Sequence, residues 1–261
     1  MKILIFGSSG QLGKSLYDVL KNSRHDTYFL SKEDADISNK EQLYNVMLEI
    51  SPQFVVNTAA YTMVDNAESD PDNAYIVNFH SVKNLADICK LKKIHLIHIS
   101  TDYVFDGTKI AMYIENDIPN PQSIYGISKL KGEIAIQESM CSHTIIRTSW
   151  VFSQYGKNFL KTMLNLATKK ELNIVGDQYG CPTYTRDLAL IIKKIIEKNN
   201  QKLFNGIFHY AGDNITSWSN FAEYIFRKAL DIGLINKKPY INKVKTKDYP
   251  SQAPRPNNSA L

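Results

Sequence analysis

The sequence contains little cysteine and no long hydrophobic run, and both shortages narrow its class. Three cysteines occur in 261 residues, Cys89, Cys141 and Cys181, and none is part of a CxxC pair. An odd number without ligand spacing indicates neither a disulfide framework nor a zinc ribbon, so we expect reduced, structural thiols. No apolar stretch approaches the roughly 18 residues of a membrane span, and glycine interrupts the first one before a signal-peptide core develops. These features predict a cytoplasmic protein without a membrane partner.

An excess of charge of one sign is also missing. Lysine and arginine number 31 against 26 aspartates and glutamates, a net charge of +5, which does not separate nucleic acid from small anionic ligands. The most basic stretch, residues 237–247, is broken by apolar residues and has one aromatic, Tyr240. We interpret it as a solvated loop and expect no nucleic-acid partner.

Short apolar runs alternate with helical patterns along the first 152 residues. The runs are rich in β-branched residues, and the stretches between them repeat apolar residues at helical spacing. This alternation predicts an α/β protein with a doubly wound Rossmann parallel sheet, covered by helices on both faces. The predicted strands are KILIF (2–6), DTYFL (26–30), FVVNTAA (54–60), HLIHIS (95–100) and HTIIRTSWVF (143–152).

Beyond residue 152 the alternation loosens. We therefore predict a Rossmann domain over residues 1–152 and a smaller, interleaved C-terminal portion over 153–261, with 171–213 returning in part to the Rossmann sheet. The final segment, KDYPSQAPRPNNSAL (247–261), has three prolines and no periodicity, so contacts or a ligand must hold it. The elements predicted here are helices at 158–170, 185–199 and 216–230 and strands at 172–176 and 206–212.

Three glycines lie within seven residues directly after the first predicted strand: Gly7, Gly10 and Gly13. In such a strand-to-helix turn the first glycine permits a tight turn, the second lets a pyrophosphate approach the backbone, and the third lets the helix pack on the strand. The helix that begins at Gln11 and Leu12 would point free N–H groups at the phosphates. The motif predicts that residues 1–152 bind a dinucleotide; a glycine-rich turn without a ligand is the alternative.

The end of the second predicted strand indicates which dinucleotide. An acidic residue there would bind the ribose of NAD, whereas a cation would accept the 2′-phosphate of NADP. Ser31 followed by Lys32 favours NADPH, with NADH as the alternative because two acidic residues come next. Asp36 and Ile37 are expected to flank the adenine. The remaining residues assigned to the cofactor are Ala59 and Ala60, at the end of the third predicted strand.

Tyr125 and Lys129 are four residues apart, one turn from each other on a helical face. The spacing occurs four times in the sequence, but only this pair follows a strand that ends in Thr101, at the sheet edge where open α/β folds bind ligands. A phenol can protonate a developing alkoxide, and a nearby ammonium lowers the pKa of that phenol. Thr101 would hydrogen-bond a substrate carbonyl. These three residues predict hydride transfer to a carbonyl.

Besides the glycine turn, longer motifs cover nearly the whole chain: NTAAYTMVDNAE (57–68), STDYVF (100–105), YGISKLKGE (125–133), RTSWVF (147–152), NFLKTML (158–164), DQYGCPT (177–183) and RPNNSAL (255–261). Together they resemble the dTDP-4-dehydrorhamnose reductase family of extended short-chain dehydrogenases/reductases. The resemblance implies NAD(P)H-dependent reduction of the C4 keto group of dTDP-4-dehydro-L-rhamnose to dTDP-L-rhamnose for surface polysaccharide. It also implies that Tyr125 is the general acid, beside Lys129 and Thr101.

The same resemblance implies where a dTDP-sugar would bind. The family's sugar-contacting positions fall on Thr62, Val64, Tyr103 and Trp150. Arg255 would contact the diphosphate through its planar guanidinium. For the two aromatic residues the alternative is core packing, and for Arg255 it is a disordered tail.

The sequence departs from the family pattern at a metal site. Some members bind magnesium at a dimer contact through glutamates, at positions that here are Ser15 and Arg186. A hydroxyl and a cation cannot replace two carboxylates around a hard cation, so we assign no metal ligand and question both magnesium and that dimer contact. A homodimer is still compatible with the sequence. Met63 stands where smaller or more polar residues are usual, and the family continues into another helix beyond the position of Leu261.

Two other functions stay open. One is reduction of another nucleotide-linked 4-keto-6-deoxy sugar. The other is a non-catalytic NADP-binding regulatory subunit, like the family member that partners methionine adenosyltransferase; retention of the threonine, tyrosine and lysine argues against it. His95 and His98 are three residues apart on a predicted strand and point to opposite faces, so we interpret them as packing residues rather than metal ligands.

Overall fold

The computed structural model describes residues 1–198 and 204–261, with a six-stranded parallel sheet at its centre. Apolar, β-branched runs form these strands because a parallel sheet covered on both faces buries nearly every side chain. The strands are β1 (Lys2–Phe6), β2 (Asp26–Leu30), β3 (Phe54–Asn57), β4 (His95–Thr101), β5 (His143–Thr148), β6 (Val151–Phe152), β7 (Glu171–Val175), β8 (Tyr179–Gly180), β9 (Thr183–Tyr184), β10 (Gly206–His209), β11 (Thr216–Ser217) and β12 (Tyr240–Val244).

Helices connect the strands of the sheet and supply its cover. A π-helical turn, Ile76–His80, joins two of them, and short 3₁₀ turns lie at Asp102–Val104 and Thr246–Asp248. The α-helices are α1 (Gln11–Leu20), α2 (Lys40–Ile50), α3 (Val64–Ser69), α4 (Pro71–Tyr75), α5 (Ser81–Lys92), α6 (Ile124–Ser139), α7 (Phe159–Asn165), α8 (Thr185–Lys198) and α9 (Trp218–Asp231).

The order of strands across the large sheet is β2–β1–β3–β4–β5–β10, and all neighbours are parallel. The chain runs from β1 outward to β2 and then returns to the other side of β1 as β3. This reversal creates a crevice beyond the carboxyl ends of β1 and β3, where open α/β sheets bind their ligands. The predicted doubly wound Rossmann sheet is confirmed.

Two apolar layers hold the sheet, because successive side chains of a strand point to opposite faces. Leu4 and Phe6 of β1 pack against α2, α5 and α6, whereas Ile3 and Ile5 pack against α1 and α8. Each of these side chains is at most 1% exposed, and burial of one such side chain stabilises the fold by about 1.5–3 kcal/mol. The strand ends are therefore a rigid platform for a site.

A smaller core lies in the C-terminal part of the chain. Met163 of α7, Ile174 of β7 and Phe226 of α9 pack together there, and β7 pairs in parallel with β12. Between these elements the chain returns to the large sheet, where β10 pairs with β5. The two cores are thus interleaved along the sequence.

Several predicted elements differ from the structure at their ends. The third strand ends at Asn57 rather than at residue 60, because the Asn57 side chain accepts a hydrogen bond from the backbone of Ala59 and turns the chain. The fifth strand is interrupted before β6 because Trp150 has a φ of +47°. Helix α8 was predicted through residue 199, which lies outside the described residues.

The C-terminal segment is ordered by backbone hydrogen bonds, as its predicted dependence on contacts requires. Tyr179 N–H donates to Asn257 at 2.8 Å, Ser259 N–H donates to Tyr179 at 2.8 Å, and Tyr113 N–H donates to Ala260 at 2.8 Å. Leu261 is 7% exposed. The disordered-tail alternative is therefore wrong. Within residues 1–198 and 204–261, no helix has the length and apolar character needed to span a membrane.

Candidate active site

The glycine turn lies in the crevice at the reversal point of the sheet. Gly7 has a φ of +80°, and a Cβ there would be 2.7 Å from the backbone nitrogen of Ala59. Its N–H donates to the carbonyl of Leu30 at 3.0 Å. Glycine is required at this position because the ends of β1, β2 and β3 converge on it.

Beyond the turn, the start of α1 is shaped to hold an anion. A Cβ on Gly13 would lie 2.3 Å from the carbonyl oxygen of Gly7, whereas one on Gly10 would meet only that oxygen, at 3.3 Å. Gly10 is the N-cap, and no side chain of the described chain caps the helix. The first N–H groups, from Gln11 and Leu12 onward, are therefore available to a ligand. The residues present fit a dinucleotide diphosphate.

Gln11 also ties this turn to the C-terminal part of the chain. Its Oε1 accepts hydrogen bonds from Ser153 Oγ at 2.9 Å and from Asn158 Nδ2 at 2.8 Å. The same Asn158 caps α7. The predicted cofactor residue is thus held by residues of the smaller portion, a contact that sequence reasoning did not reveal. Ala59 and Ala60 follow β3, and the backbone of Ala59 lies against Gly7.

The residues predicted to select NADP lie at the end of β2. Lys32 is 76% exposed, with Nζ 3.6 Å from Asp36, and such a surface pair is weak enough to yield to a phosphate. The Ser31 N–H donates to Asp34 at 2.8 Å. Ile37 is 5% exposed and belongs to the main core. Its side chain therefore supports this edge from inside.

Thr101 and Tyr125 are brought together by the close approach of α6 to the end of β4. Ser123 caps the helix by accepting a hydrogen bond from the N–H of Gly126 at 3.1 Å. A Cβ on Gly126 would be 2.3 Å from the carbonyl oxygen of Tyr103. Glycine allows the helix start to press on the chain after Thr101, which places the phenol near the threonine hydroxyl.

Burial controls the electrostatics of Tyr125 and Lys129. Tyr125 is 9% exposed and Lys129 is 1% exposed. Burial raises the pKa of Tyr125 above its ordinary value, and hydrogen bonding to Thr101 opposes that shift. Burial lowers the pKa of Lys129 to about 8. The phenol therefore stays protonated at neutral pH, as a proton donor must.

The pKa of the phenol is raised in this arrangement, not lowered as the Tyr–Lys spacing predicted, because burial is the largest influence on it. Lys129 Nζ donates to the carbonyl of Ile99 at 2.7 Å and lies 3.3 Å from Nε2 of His98. The amine is therefore held by β4. His98, interpreted from sequence as a packing residue, is in contact with the predicted catalytic lysine.

Thr101 uses its hydroxyl in a local network. Its Oγ1 donates to Asp102 at 3.0 Å and accepts from the N–H of Tyr103 at 3.2 Å. Asp102 is 2% exposed, and its Oδ2 has no hydrogen-bond partner in the described chain. Burial raises the pKa of Asp102 to about 6. Thr101 can donate to a carbonyl only after it releases Asp102.

Two of the predicted sugar-binding residues lie beside the phenol. Val64 and Tyr103 pack in one apolar cluster with Tyr125, and the two tyrosine rings are 5.6 Å apart, edge to face. Thr62 is exposed just before α3. The grouping joins the predicted catalytic and sugar-binding residues. Packing accounts for these contacts of Tyr103, and its contact with the sugar stays a prediction.

Arg255 reaches this cluster from the C-terminal segment. Its Nη1 donates to the Tyr103 hydroxyl at 3.2 Å, and its Nη2 donates to Asp65 at 2.7 Å. Asp65 was not predicted as a site residue, although it lies within the family motif at 57–68. An open cavity of about 560 Å³ adjoins this ion pair and is lined by Asp65, Asn66, Ser69, Pro250, Ser251 and Gln252.

Trp150 is held by the smaller core. Its ring stacks on Trp218 with centroids 3.5 Å apart, and a Cβ on Gly180 would be 2.5 Å from it. The packing alternative therefore accounts for these contacts. The left-handed backbone of Trp150 is costly for a bulky residue, and such strain is concentrated at functional sites.

The two positions compared with the family's metal site, Ser15 and Arg186, lie on α1 and α8. Ser15 is 1% exposed, and its Oγ lies 2.7 Å from Oγ1 of Thr185, where α1 packs on α8. Arg186 is exposed on the next position of α8. Within the part of the chain that is described, no three His, Cys, Asp or Glu side chains are grouped to hold a metal ion.

A glycine turn at the reversal point of a parallel sheet, with a Tyr–Lys pair and a threonine at the same edge, defines an extended short-chain dehydrogenase/reductase. The family model described as the RmlD substrate binding domain matches residues 1–261. The dTDP-4-dehydrorhamnose reductase of Aggregatibacter actinomycetemcomitans is 40% identical over 264 residues, which cover 100% of this chain and 90% of that protein. The chain belongs to the dTDP-4-dehydrorhamnose reductase family.

Two further relatives extend the comparison. The crystal structure of dTDP-4-dehydrorhamnose reductase from Bacillus anthracis str. Ames in complex with NADP has a TM-score of 0.93 at 38% identity and covers 100% of this chain and 89% of that one. The spore coat polysaccharide biosynthesis protein SpsK of Bacillus subtilis is 39% identical, over 100% of this chain and 88% of that protein.

Proposed function

We propose that this protein is an NADPH-dependent reductase that converts the C4 keto group of dTDP-4-dehydro-L-rhamnose to the hydroxyl of dTDP-L-rhamnose. The observation that carries the proposal is the placement of buried Thr101, Tyr125 and Lys129 at the ligand-binding edge of the sheet, in a chain of this family. The relatives named for this reductase and for polysaccharide biosynthesis support a role in making a surface polysaccharide.

The cofactor residues proposed are those around the glycine turn. The N–H groups at the start of α1 hold the diphosphate, Lys32 accepts the 2′-phosphate beside Ser31 and Asp36, and Ala59 and Ala60 close the crevice. The relative that contains NADP supports this choice over NADH. NADPH supplies the hydride when bound.

Tyr125 is the proton donor in this proposal. As hydride reaches C4, negative charge develops on the keto oxygen, and the phenol O–H transfers its proton there. The bond from oxygen to hydrogen in tyrosine breaks, and the sugar hydroxyl forms. Thr101, once it releases Asp102, donates a hydrogen bond to the keto oxygen and stabilises its developing charge, and the positive charge of Lys129 favours the phenolate. A proton from solvent then restores Tyr125.

Substrate selection is assigned to the two portions of the chain together. Arg255 binds the diphosphate, because a guanidinium offers several donors in a planar fork. Tyr103 and Val64 contact the sugar beside Tyr125, and Thr62 and Trp150 complete that contact. In this division residues 1–152 bind the cofactor, and residues 153–261 serve mostly the substrate, although β10 belongs to the large sheet.

We further propose a cytoplasmic location and a homodimer. The dimer contact does not use the Ser15 hydroxyl, because that hydroxyl is buried against Thr185 within the same chain. Magnesium at this position has no carboxylate to bind, since Ser15 and Arg186 replace the acidic pair.

NADPH absorbance with enzymatically generated dTDP-4-dehydro-L-rhamnose tests the proposal. We expect consumption of NADPH with formation of dTDP-L-rhamnose, and slower consumption of NADH. A folded protein that binds NADPH but consumes none would contradict the enzyme assignment and support the regulatory-subunit alternative. Faster turnover of another nucleotide-linked 4-keto-6-deoxy sugar would contradict the choice of substrate.

A further inference from the structure

The segment that joins β6 to α7, residues 153–158, is bonded to the start of α1, and we call it the clasp. Gln11 Oε1 accepts hydrogen bonds from Ser153 Oγ at 2.9 Å and from Asn158 Nδ2 at 2.8 Å. Ser153 is 0% exposed. Gly156 has a φ of +60°, and a Cβ there would be 3.2 Å from Cγ of Gln11, so glycine keeps the two segments close.

A second contact follows the same face of α1. The Tyr155 hydroxyl donates to Asp18 at 2.5 Å, and Lys14 Nζ is 5.8 Å from the centroid of the Tyr155 ring. Gln11, Lys14 and Asp18 are separated by three and then four positions, so they lie on one side of the helix. The clasp is therefore fitted to two turns of α1 rather than attached at one point.

The Asn158 amide is fixed by the helix that it caps. Its Oδ1 accepts from the N–H of Lys161 at 3.0 Å, so its Nδ2 is turned toward Gln11. An amide nitrogen only donates, and the end of the Gln11 amide that meets it must be the oxygen. The Ser153 hydroxyl donates to the same oxygen. The end of the Gln11 amide that the clasp does not use is therefore Nε2, which carries two N–H groups.

The orientation of this amide matters because of where Gln11 lies. It follows the N-cap of α1, where the helix offers its first N–H groups. A dinucleotide diphosphate at this place is an anion, which N–H donors stabilise and an amide oxygen would repel. A freely rotating glutamine would present either end. A glutamine held by its oxygen offers only its nitrogen, and less side-chain entropy is lost when the ligand binds.

We propose that Ser153 and Asn158 are positioning residues for the dinucleotide, which hold the Gln11 amide by its oxygen and leave its N–H groups to the diphosphate. The inference rests on the proposed function in taking the glycine turn as the NADPH site. It gives the smaller portion of the chain a part in cofactor binding, through residues that do not touch the cofactor themselves.

Fluorescence titration with NADPH tests this role without any turnover. Asn158→Ser keeps a residue that can cap α7 but is too short to reach Gln11, and we expect the Kd for NADPH to rise about 10-fold. Asn39→Ser is the matched control, because Asn39 caps α2 through the backbone N–H groups of that helix. Its Kd should match the wild type. Urea unfolding of each variant measures any loss of stability separately.

A double-mutant cycle shows whether Asn158 acts through Gln11. Gln11→Ala alone should also weaken NADPH binding. Adding Asn158→Ser to Gln11→Ala should then change the Kd less than about 2-fold, because the group that Asn158 holds is gone. Ser153→Ala leaves the cap of α7 intact and should raise the Kd about 3-fold.

An unchanged Kd in both Asn158→Ser and Ser153→Ala would overturn the inference, and so would losses that simply add in the double-mutant cycle. A folded wild-type protein that did not bind NADPH would instead contradict the proposed cofactor site. The failure of the inference and the failure of the proposed function are therefore distinguishable.

Discussion

Arg255 and Tyr103 are joined by a hydrogen bond of 3.2 Å, from Nη1 of the arginine to the tyrosine hydroxyl, across 152 positions of sequence. The same guanidinium holds Asp65 through Nη2 at 2.7 Å. Tyr103 in turn packs against Tyr125. The C-terminal segment therefore positions a cation next to the proposed proton donor, and a change in Arg255 should affect substrate binding more than chemistry.

Arg255→Lys should raise the KM for the dTDP-sugar about 10-fold and change kcat less than about 3-fold. An ammonium is a single charge and cannot serve Tyr103, Asp65 and a diphosphate in the planar geometry of a guanidinium. Steady-state kinetics with saturating NADPH provide the measurement. Arg227→Lys, on the surface beside Tyr224, is the control. An unchanged KM in Arg255→Lys would remove this residue from the substrate site.

Gly10→Ala and Gly13→Ala should separate binding from folding. A Cβ at Gly10 meets only the Gly7 carbonyl at 3.3 Å, so the protein should fold while NADPH binds about 10-fold more weakly, because the methyl group occupies the diphosphate cradle. A Cβ at Gly13 would be 2.3 Å from that carbonyl, so this variant should lose stability. Fluorescence titration with NADPH and urea unfolding measure the two effects. Undiminished affinity in Gly10→Ala would contradict the cofactor site.

Glu133→Gln should reduce the free energy of unfolding by about 3–5 kcal/mol, since it leaves Arg147 buried without its counter-charge. The side chains of Glu133 and Arg147 are 1% and 2% exposed. The ion pair of Lys83 and Asp87 is the contrast: its side chains are 53% and 51% exposed. Asp87→Asn should cost less than about 1 kcal/mol. If both substitutions reduced the free energy of unfolding equally, the burial of the Glu133–Arg147 pair would not increase its contribution to stability.

Asp102 should make the protein less stable as the pH rises. Burial raises the pKa of Asp102 to about 6 from 3.8. The folded state therefore binds this proton more tightly than the unfolded state, and the stability it contributes is full below pH 3.8 and lost as pH rises through about 6. Asp102→Asn removes this dependence.

Urea unfolding across the acidic range measures the effect. Between pH 4 and pH 7.5, the free energy of unfolding of Asp102→Asn should rise by about 2 kcal/mol relative to that of the wild type. Asp213→Asn, at an exposed position, is the control and should show little such gain. If the difference in free energy of unfolding between Asp102→Asn and the wild type stayed constant over this pH interval, the raised pKa of Asp102 would be contradicted.

The architecture could be predicted from the sequence because the local sequence patterns agree with the overall fold. The strands at 2–6 and 26–30 match β1 and β2 in full, since short apolar runs between helical patterns have few other solutions. The strand ends were harder to predict. Asn57 ends β3 through a side-chain hydrogen bond, and Trp150 interrupts the next run through an unusual backbone angle. Neither signal is visible in hydrophobic periodicity.

Residues of the candidate site were predictable where their chemistry is local. The Gly7–Gly13 turn and the Tyr125–Lys129 spacing are read from neighbouring positions. Asp65 and His98 were missed because their significance depends on partners far along the chain, Arg255 and Lys129. Burial of the phenol also could not be inferred from neighbouring positions. The Tyr–Lys spacing therefore suggested a lowered pKa for Tyr125, whereas burial in the folded protein raises it.

The most direct test of the central claim is the kcat of Tyr125→Phe in the NADPH-coupled assay. The substitution removes one hydroxyl, so kcat should fall about 100-fold or more while the Kd for NADPH stays within about 2-fold. Tyr224→Phe is the control, since Tyr224 has the same spacing to Lys228 but is 50% exposed. A kcat of Tyr125→Phe equal to the wild type would contradict Tyr125 as the proton donor.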